Sequence, residues 1–190
     1  MAARKNETSQ MILAAAFNCI ANKGCAGVTL RDIAEEAGVA LSQLNYYYKN
    51  KEGLFSEVLR DMRQEYLIGV ERNLQGLGSR VEKISRLINY NKELMVSNKA
   101  LYRAFLEFFN LAMWSTSFRK EMNLFLRELS EAIALQIGDE PSALTVALPP
   151  SPTVLTKMIL GMTFGIAMQY LMDPEHEEVL AGLDALERII

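Results

Sequence analysis

The chain has 190 residues, 50% hydrophobic and 23% charged, which is the composition of a folded globular protein and excludes a disordered one. With a single histidine and two cysteines, a metal site and Ser/Cys–His catalysis are nearly excluded, so we expect no metal, no cofactor and no enzyme activity. The net charge of −3 divides into +1 for residues 1–60 and −4 for the remainder, so a case for DNA binding depends on where the charges lie.

Helical periodicity runs through nearly the whole sequence, and the alternating β-branched runs of strands do not occur in it. The first helix is predicted to end at Lys23 and Gly24, and the second to begin with Thr29 as its N-cap. Asp173 and Pro174 predict the start of the last helix, as N-cap and first helical residue. The prolines of 139–152 predict a loop. We therefore predict about nine helices, at 7–21, 29–38, 41–47, 51–74, 80–96, 99–114, 117–138, 153–172 and 174–190.

The segment 29–48 has the spacing of a helix-turn-helix. Two short helices that cross steeply need a small residue at their closest approach, which Ala34 supplies. The turn needs a residue that tolerates positive φ, which Gly38 supplies four residues later. The second helix needs an apolar anchor that faces back toward the first, which Leu44 supplies six residues further on.

The second helix of this motif is rich in polar and aromatic side chains and carries no acid between Ala40 and Lys51. Asn and Gln can bond bidentately to adenine in the major groove, and Tyr hydroxyls can donate to phosphates. The alternatives are an aromatic packing cluster, which we expect for Tyr48, and a solvated surface lysine for Lys51. The predicted DNA contacts are Thr29, Ser42, Gln43, Asn45, Tyr46, Tyr47, Lys49 and Lys51.

Residues 8–60 resemble the N-terminal domain of the TetR family of transcriptional regulators. The residues that carry the resemblance are Ala15 to Phe17, Gly24, Val28-Thr29, Ile33-Ala34, Ala37 to Val39, Leu44, Tyr46 to Tyr48, Lys51 and Leu54. Two positions depart from the family pattern: Asn45 stands where many members have a tyrosine, and Leu41 where a polar or basic residue is common. The resemblance implies an all-α fold with a three-helix DNA-binding domain at 1–52 and a helical bundle at 53–190 that binds an effector and dimerises.

An isolated helix-turn-helix reads few base pairs, so we expect a homodimer on a palindromic operator. The last two predicted helices are the candidates for its interface, because one carries two glycines four residues apart and the other has heptad-like apolar spacing. Packing inside one subunit is the alternative. The predicted interface residues are Gly161, Gly165, Met168, Val179, Leu183 and Leu186.

The segment 101–126 holds more aromatic and Met residues than one narrow helical stripe can carry. Either it is deeply buried or part of it lines a cavity, and for any single residue plain core is the alternative. The resemblance implies an apolar effector pocket at this level. The candidate ligand residues are Tyr90, Tyr102, Phe105, Phe109, Met113, Trp114, Phe118, Met122, Met162 and Gln169.

Together, these observations predict that the protein is a sequence-specific DNA-binding regulator. We expect a repressor that a small, mostly apolar ligand releases from its operator. An activator, a constitutive repressor and a module that has lost DNA binding are the alternatives. No targeting segment and no run of eighteen apolar residues occurs in the sequence, so we expect a cytoplasmic protein without membrane contact.

Overall fold

The computed structural model describes residues 2–138 and 151–189, and every regular element in these two stretches is helical. The predicted all-α fold is therefore confirmed, and the predicted bounds of the third, fourth and sixth helices agree with the structure to the residue. The predicted loop lies outside the described residues except for its last two. The elements are α1 (Ala2–Gly27), α2 (Leu30–Glu36), α3 (Leu41–Tyr47), α4 (Lys51–Leu74), α5 (Arg80–Ser97), α6 (Lys99–Trp114), α7 (Thr116–Ile137), α8 (Pro152–Met172), a 3-10 helix (Glu177–Leu180) and α9 (Ala181–Ile189).

The chain divides into two compact units. Unit 1 consists of Met1–Gln64 and Arg103–Phe125, and unit 2 of Glu65–Tyr102 and Leu126–Ile190. Unit 1 contains more of the chain than the predicted DNA-binding domain 1–52, because α6 and α7 contribute aromatic side chains to its core. The rings of Phe55 and Phe108 meet edge-to-face at 6.1 Å, and Phe108 stacks on Phe118 at 5.4 Å.

The turn between α2 and α3 is a Schellman motif at Gly38. Gly38 has φ +64°, and its N–H donates to the Glu35 carbonyl at 3.1 Å. The Val39 N–H donates to the Ala34 carbonyl at 2.9 Å, so the Ala34 and Glu35 carbonyls in the last turn of α2 are satisfied. Ala34 is buried, as the predicted close approach of the two helices requires. The glycine therefore ends α2 by its backbone conformation and sets the direction of α3.

In unit 2, α5, α8 and α9 contact one another around an apolar core that includes Leu87, Ile88 and Met95. A buried polar group belongs to this core: the Tyr66 hydroxyl donates to the Asn91 side-chain oxygen at 2.9 Å, and the Asn91 amide donates to the Leu87 carbonyl at 2.8 Å. Burial raises the pKa of the Tyr66 hydroxyl, so Tyr66 remains a neutral donor.

The predicted start of the last helix is wrong. Asp173 is the C-cap of α8 and donates its N–H to the Gln169 carbonyl at 3.2 Å, and the chain resumes helical structure only at Glu177 in the 3-10 helix. The Asp173 carboxylate pairs with the His176 ring at 2.7 Å instead of capping a following helix. Asp173 and Pro174 are residue types that commonly begin a helix, but Asp173 instead forms the C-cap that ends α8.

By length and composition, α8 is apolar enough to cross a membrane, with a mean hydropathy of 1.3 over its most apolar window, of which 39% is buried. The core helix of a soluble protein meets the same test, and polar residues interrupt α8, so it is not a continuous run of eighteen apolar residues. Lys157 and Gln169 are exposed on α8, and the exposed apolar residues form one stripe. A single stripe is typical of helix–helix contact.

Candidate nucleic-acid interface

The recognition helix α3 buries one side chain and presents the others to solvent. Leu44 is 0% exposed, whereas Ser42, Gln43 and Asn45 are exposed and Tyr46 is 72% exposed. This division follows from helical geometry, because Leu44 faces back onto α2 and its neighbours in sequence point away. The structure thus brings the predicted base-reading side chains together on one open surface.

Three consecutive tyrosines at the end of α3 differ in environment. Tyr48 is buried, as predicted, and its hydroxyl lies 2.8 Å from the Ser9 hydroxyl on α1. Burial raises the pKa of Tyr48, so the hydroxyl stays protonated. Tyr47 is half-buried and meets the exposed Tyr46 ring edge-to-face at 5.4 Å. Tyr48 therefore holds the end of α3 on α1, while the Tyr46 side chain is accessible.

Thr29 forms a capping box at the start of α2. Its hydroxyl oxygen accepts from the Asp32 N–H at 3.2 Å, and its own N–H donates to the Asp32 carboxylate at 2.8 Å. The Asp32 carboxylate also pairs with Lys23 at 3.2 Å. Hydrogen bonds from Thr29, with Lys23 adding to them, lower the pKa of Asp32 to about 2. A carboxylate thus already occupies the N-terminus where Thr29 was predicted to receive a phosphate.

Replacing Thr29 by alanine is expected to raise the pKa of Asp32 part of the way toward the value of an unperturbed carboxyl, because it removes the hydroxyl that donates to this carboxylate and keeps the backbone N–H donor. Since the folded-state pKa is depressed, the capping box stabilises the protein above the ordinary Asp pKa, and this stabilisation is lost as the pH falls toward 2. A pH titration of the Asp32 carboxyl by NMR measures the shift. An unchanged midpoint in Thr29→Ala would assign the low pKa to the backbone N–H of residue 29 and to Lys23 instead.

One lysine begins α4 and another lies two residues before it. Asn50, which was not among the predicted site residues, caps this helix by accepting the Gly53 N–H at 2.7 Å. Lys49 is exposed, and it lines a polar cleft of about 470 Å³ together with Tyr47 and the start of α4. Lys51 is half-buried, with its ammonium 5.3 Å from the Phe55 ring centroid. Positive charge at the N-terminus of a long helix suits a phosphate oxygen.

The predicted dimer residues separate into exposed and buried sets. Leu183 and Leu186 are 0% and 3% exposed in the core of unit 2, so their predicted place at a subunit interface is corrected. Val179 is half-buried, while Gly161 and Met168 are exposed. The available apolar surface is instead one stripe along α8, which we call the α8 stripe and which consists of Val154, Met158, Gly161, Met162, Gly165, Met168 and Met172.

The ten candidate ligand residues occupy different environments. Phe105, Phe118, Met122 and Tyr102 are buried core residues, which is the alternative that the sequence left open. Tyr90 and Phe109 are half-buried. Four others are exposed rather than enclosed: Met113, Trp114, Met162 and Gln169. The last two lie on α8, and Trp114 lines a cleft in unit 1.

Comparison with known proteins agrees with this geometry. Residues 12–58 match the family model for bacterial regulatory proteins of the tetR family. The chain is 27% identical over 124 residues to the HTH-type transcriptional regulator BetI of Escherichia coli O17:K52:H18. That match covers 64% of this chain and 60% of BetI, so the chain spans less than two thirds of the length of this relative.

Solved structures match over nearly the whole chain. The transcriptional regulator FadR from Bacillus subtilis, in complex with stearoyl-CoA, superimposes with a TM-score of 0.76 at 18% identity and covers 95% of this chain and 96% of its own. A protein from Saccharomonospora viridis in complex with choline has a TM-score of 0.77 at 18% identity, with 95% of both chains covered. At this identity the two structures establish the fold alone.

An open recognition helix on an all-helical scaffold defines the class of helix-turn-helix regulators, and the matched relatives are regulators and not enzymes. Over residues 12–58 the chain is similar to the bacterial regulatory proteins of the tetR family, and BetI, which it matches in part, is an HTH-type transcriptional regulator.

Proposed function

We propose that the protein is a sequence-specific DNA-binding regulator that reads its operator with α3. The exposure pattern of α3 carries this proposal: Leu44 is fully buried while Gln43 and Asn45 on either side of it are exposed. A short helix held by one apolar anchor can enter the major groove with its polar side chains foremost. Ser42, Gln43 and Asn45 then face base edges.

Residues at the end of α3 and just after it contact the DNA phosphates. Tyr46 and Tyr47 offer hydroxyl donors at the end of α3, and Lys49 and Lys51 offer charge at the start of α4. Such contacts fix the orientation of the protein on the duplex without reading sequence. The Asp32 carboxylate at the start of α2 disfavours a phosphate beside Thr29, so the start of α4 is the stronger candidate.

Two copies of the chain form the functional unit, paired through the α8 stripe. Val154, Met158, Met162, Met168 and Met172 are each 40–78% exposed, which is a large apolar surface for a single subunit to leave in water. Gly161 and Gly165 allow a partner helix to approach closely. A two-fold dimer sets its recognition helices about 34–36 Å apart and reads a palindromic operator.

A small organic effector releases this repressor from its operator in the cytoplasm. The ligands in the two similar structures, stearoyl-CoA and choline, differ in size and charge, so they support effector binding without selecting a ligand. A coupling of about 1–3 kcal/mol between effector and DNA changes operator affinity about 5–150-fold. An activator or a constitutive repressor would bind the same DNA without this release.

Fluorescence anisotropy with labelled duplexes from upstream of the gene tests the proposal. Specific binding is expected to weaken with salt, with a slope of log affinity against log salt of about −0.9 per phosphate contacted. Lys51→Gln should reduce the magnitude of this slope by about 1. Lys120→Gln, an exposed lysine on α7, should leave the slope unchanged. Failure to bind any duplex at low salt would refute DNA recognition.

A further inference from the structure

Unit 1 contains a cleft of about 350 Å³ bounded by the end of α1, the start of α4 and the last turns of α6. This volume lies within the range of about 300–1,000 Å³ typical of small-molecule sites. All of its lining residues belong to unit 1, and the fold leaves the cleft open to solvent.

The walls of the cleft are mostly apolar. Phe55 and Leu111 form part of the wall, and Trp114 is 86% exposed at the end of α6. A tryptophan this exposed is unusual for a monomeric protein surface, because it leaves a large apolar ring in water. An apolar group that enters the cleft would cover this ring.

The two charged groups that line the cleft, Lys51 and Glu52, have different partners. The Lys51 ammonium lies over the Phe55 ring at 5.3 Å, and within residues 2–138 and 151–189 no carboxylate forms an ion pair with it. The Glu52 carboxylate, in contrast, accepts hydrogen bonds from Ser115, at 3.0 Å, and Ser117. The Cys25 thiol is neutral, because burial and the nearby Glu107 raise its pKa to about 12.

We propose that this cleft binds a small organic anion, a carboxylate attached to a ring or short apolar chain, as the effector of the regulator. The carboxylate pairs with Lys51, the apolar part covers Trp114 and Leu111, and the Asn110 amide provides a further hydrogen bond. This inference rests on the proposed function, since it names the place and chemical class of the effector.

The position of the cleft explains how its occupant would weaken DNA binding. Lys51 is also a proposed phosphate contact, so a ligand carboxylate and a DNA phosphate compete for one ammonium group. Hydrogen bonds next to the cleft also join its walls. Glu107 on α6 accepts the Cys25 N–H at 2.7 Å beside Gly24, where φ is +73°, and Glu52 on α4 accepts from Ser115. A ligand between these walls acts on the same helices that carry the recognition motif.

Three probes with one skeleton and different charge test the ligand class: phenylbutyrate, phenylbutyramide and phenylbutylamine. Trp114 is the single tryptophan of the chain, so its fluorescence reports occupancy of the cleft directly. We expect a saturable change in Trp114 emission, with phenylbutyrate binding about tenfold more tightly than the amide, the gain typical of a hydrogen bond to a charged group. The amine should bind most weakly.

Matched variants locate the site, with calorimetry as the second measurement. Lys51→Gln should remove the preference for the acid over the amide, and Leu111→Gln should weaken all three probes. Lys120→Gln should behave like the wild type, since it removes a lysine from the same unit outside the cleft. Equal or tighter binding of the amine, or a preference for the acid that persists in Lys51→Gln, would overturn the proposed ligand class.

DNA anisotropy on the same samples separates this inference from the proposed function. Phenylbutyrate should raise the dissociation constant for the operator about 5–150-fold. DNA binding without any saturable response to phenylbutyrate, in fluorescence or heat, would refute the cleft and leave the regulator intact. Probe binding by a protein that recognises no duplex would refute the regulator and leave the cleft as an anion site.

Discussion

Replacing Leu44 by alanine is expected to lower the free energy of unfolding by about 2–5 kcal/mol. Leu44 is 0% exposed and is the only buried side chain within α3 among the residues that the structure describes. The truncated side chain leaves a cavity beneath a helix of seven residues that has no side-chain N-cap and therefore little stability of its own. Urea denaturation followed by circular dichroism measures the loss.

The neighbouring Gln43 provides the matched control for Leu44. Gln43 is exposed, so Gln43→Ala should change the free energy of unfolding by no more than about 0.5 kcal/mol. The same variant should weaken operator binding by about 1–3 kcal/mol, because a base contact is lost. If Gln43→Ala instead destabilises the fold and leaves DNA affinity unchanged, α3 is packed against the protein and is not the recognition helix.

A double substitution in the α8 stripe, Met158→Glu with Met162→Glu, is expected to convert the proposed dimer to a monomer. The two side chains are 52% and 40% exposed and lie one helical turn apart. Two carboxylates opposite their symmetry mates would be desolvated without partners, and dimerisation should weaken at least about a hundredfold. Operator affinity should fall with it, because a single helix-turn-helix reads half a site. Analytical ultracentrifugation measures the dissociation constant.

Val81→Glu tests whether any added acid has this effect. Val81 is 48% exposed on α5 in the same unit, so the substitution adds one acid to an exposed apolar position away from the α8 stripe. It should leave the dimer intact. A double variant on α8 that stays dimeric and binds DNA normally would place the subunit interface elsewhere.

Local signals in the sequence were sufficient for the helix-turn-helix. Gly38 was predicted from its tolerance of positive φ, and the structure places it at the Schellman turn with φ +64°. The predicted N-cap Thr29 was equally local, because a capping box involves residues only three positions apart. These features depend on hydrogen bonds between near neighbours in the chain, so sequence spacing is enough to predict them.

Features that depend on contacts between residues far apart in the chain could not be predicted from local sequence spacing. The apolar spacing of the last helix predicted a subunit interface, but Leu183 and Leu186 face the core of their own unit. Periodicity identifies which side of a helix is apolar and does not reveal what covers it. The cleft at Trp114 could not be predicted for the same reason, since residues from three segments far apart in the chain form it.

The sequence by itself determined an all-helical fold and the polar side chains that α3 exposes to solvent, because these follow from periodicity and short-range hydrogen bonding. The tertiary structure alone decided which apolar surface is left open on α8 and which lysine meets an apolar cleft. Both features depend on contacts between residues far apart in the chain. Which residues meet is determined only when the whole core packs.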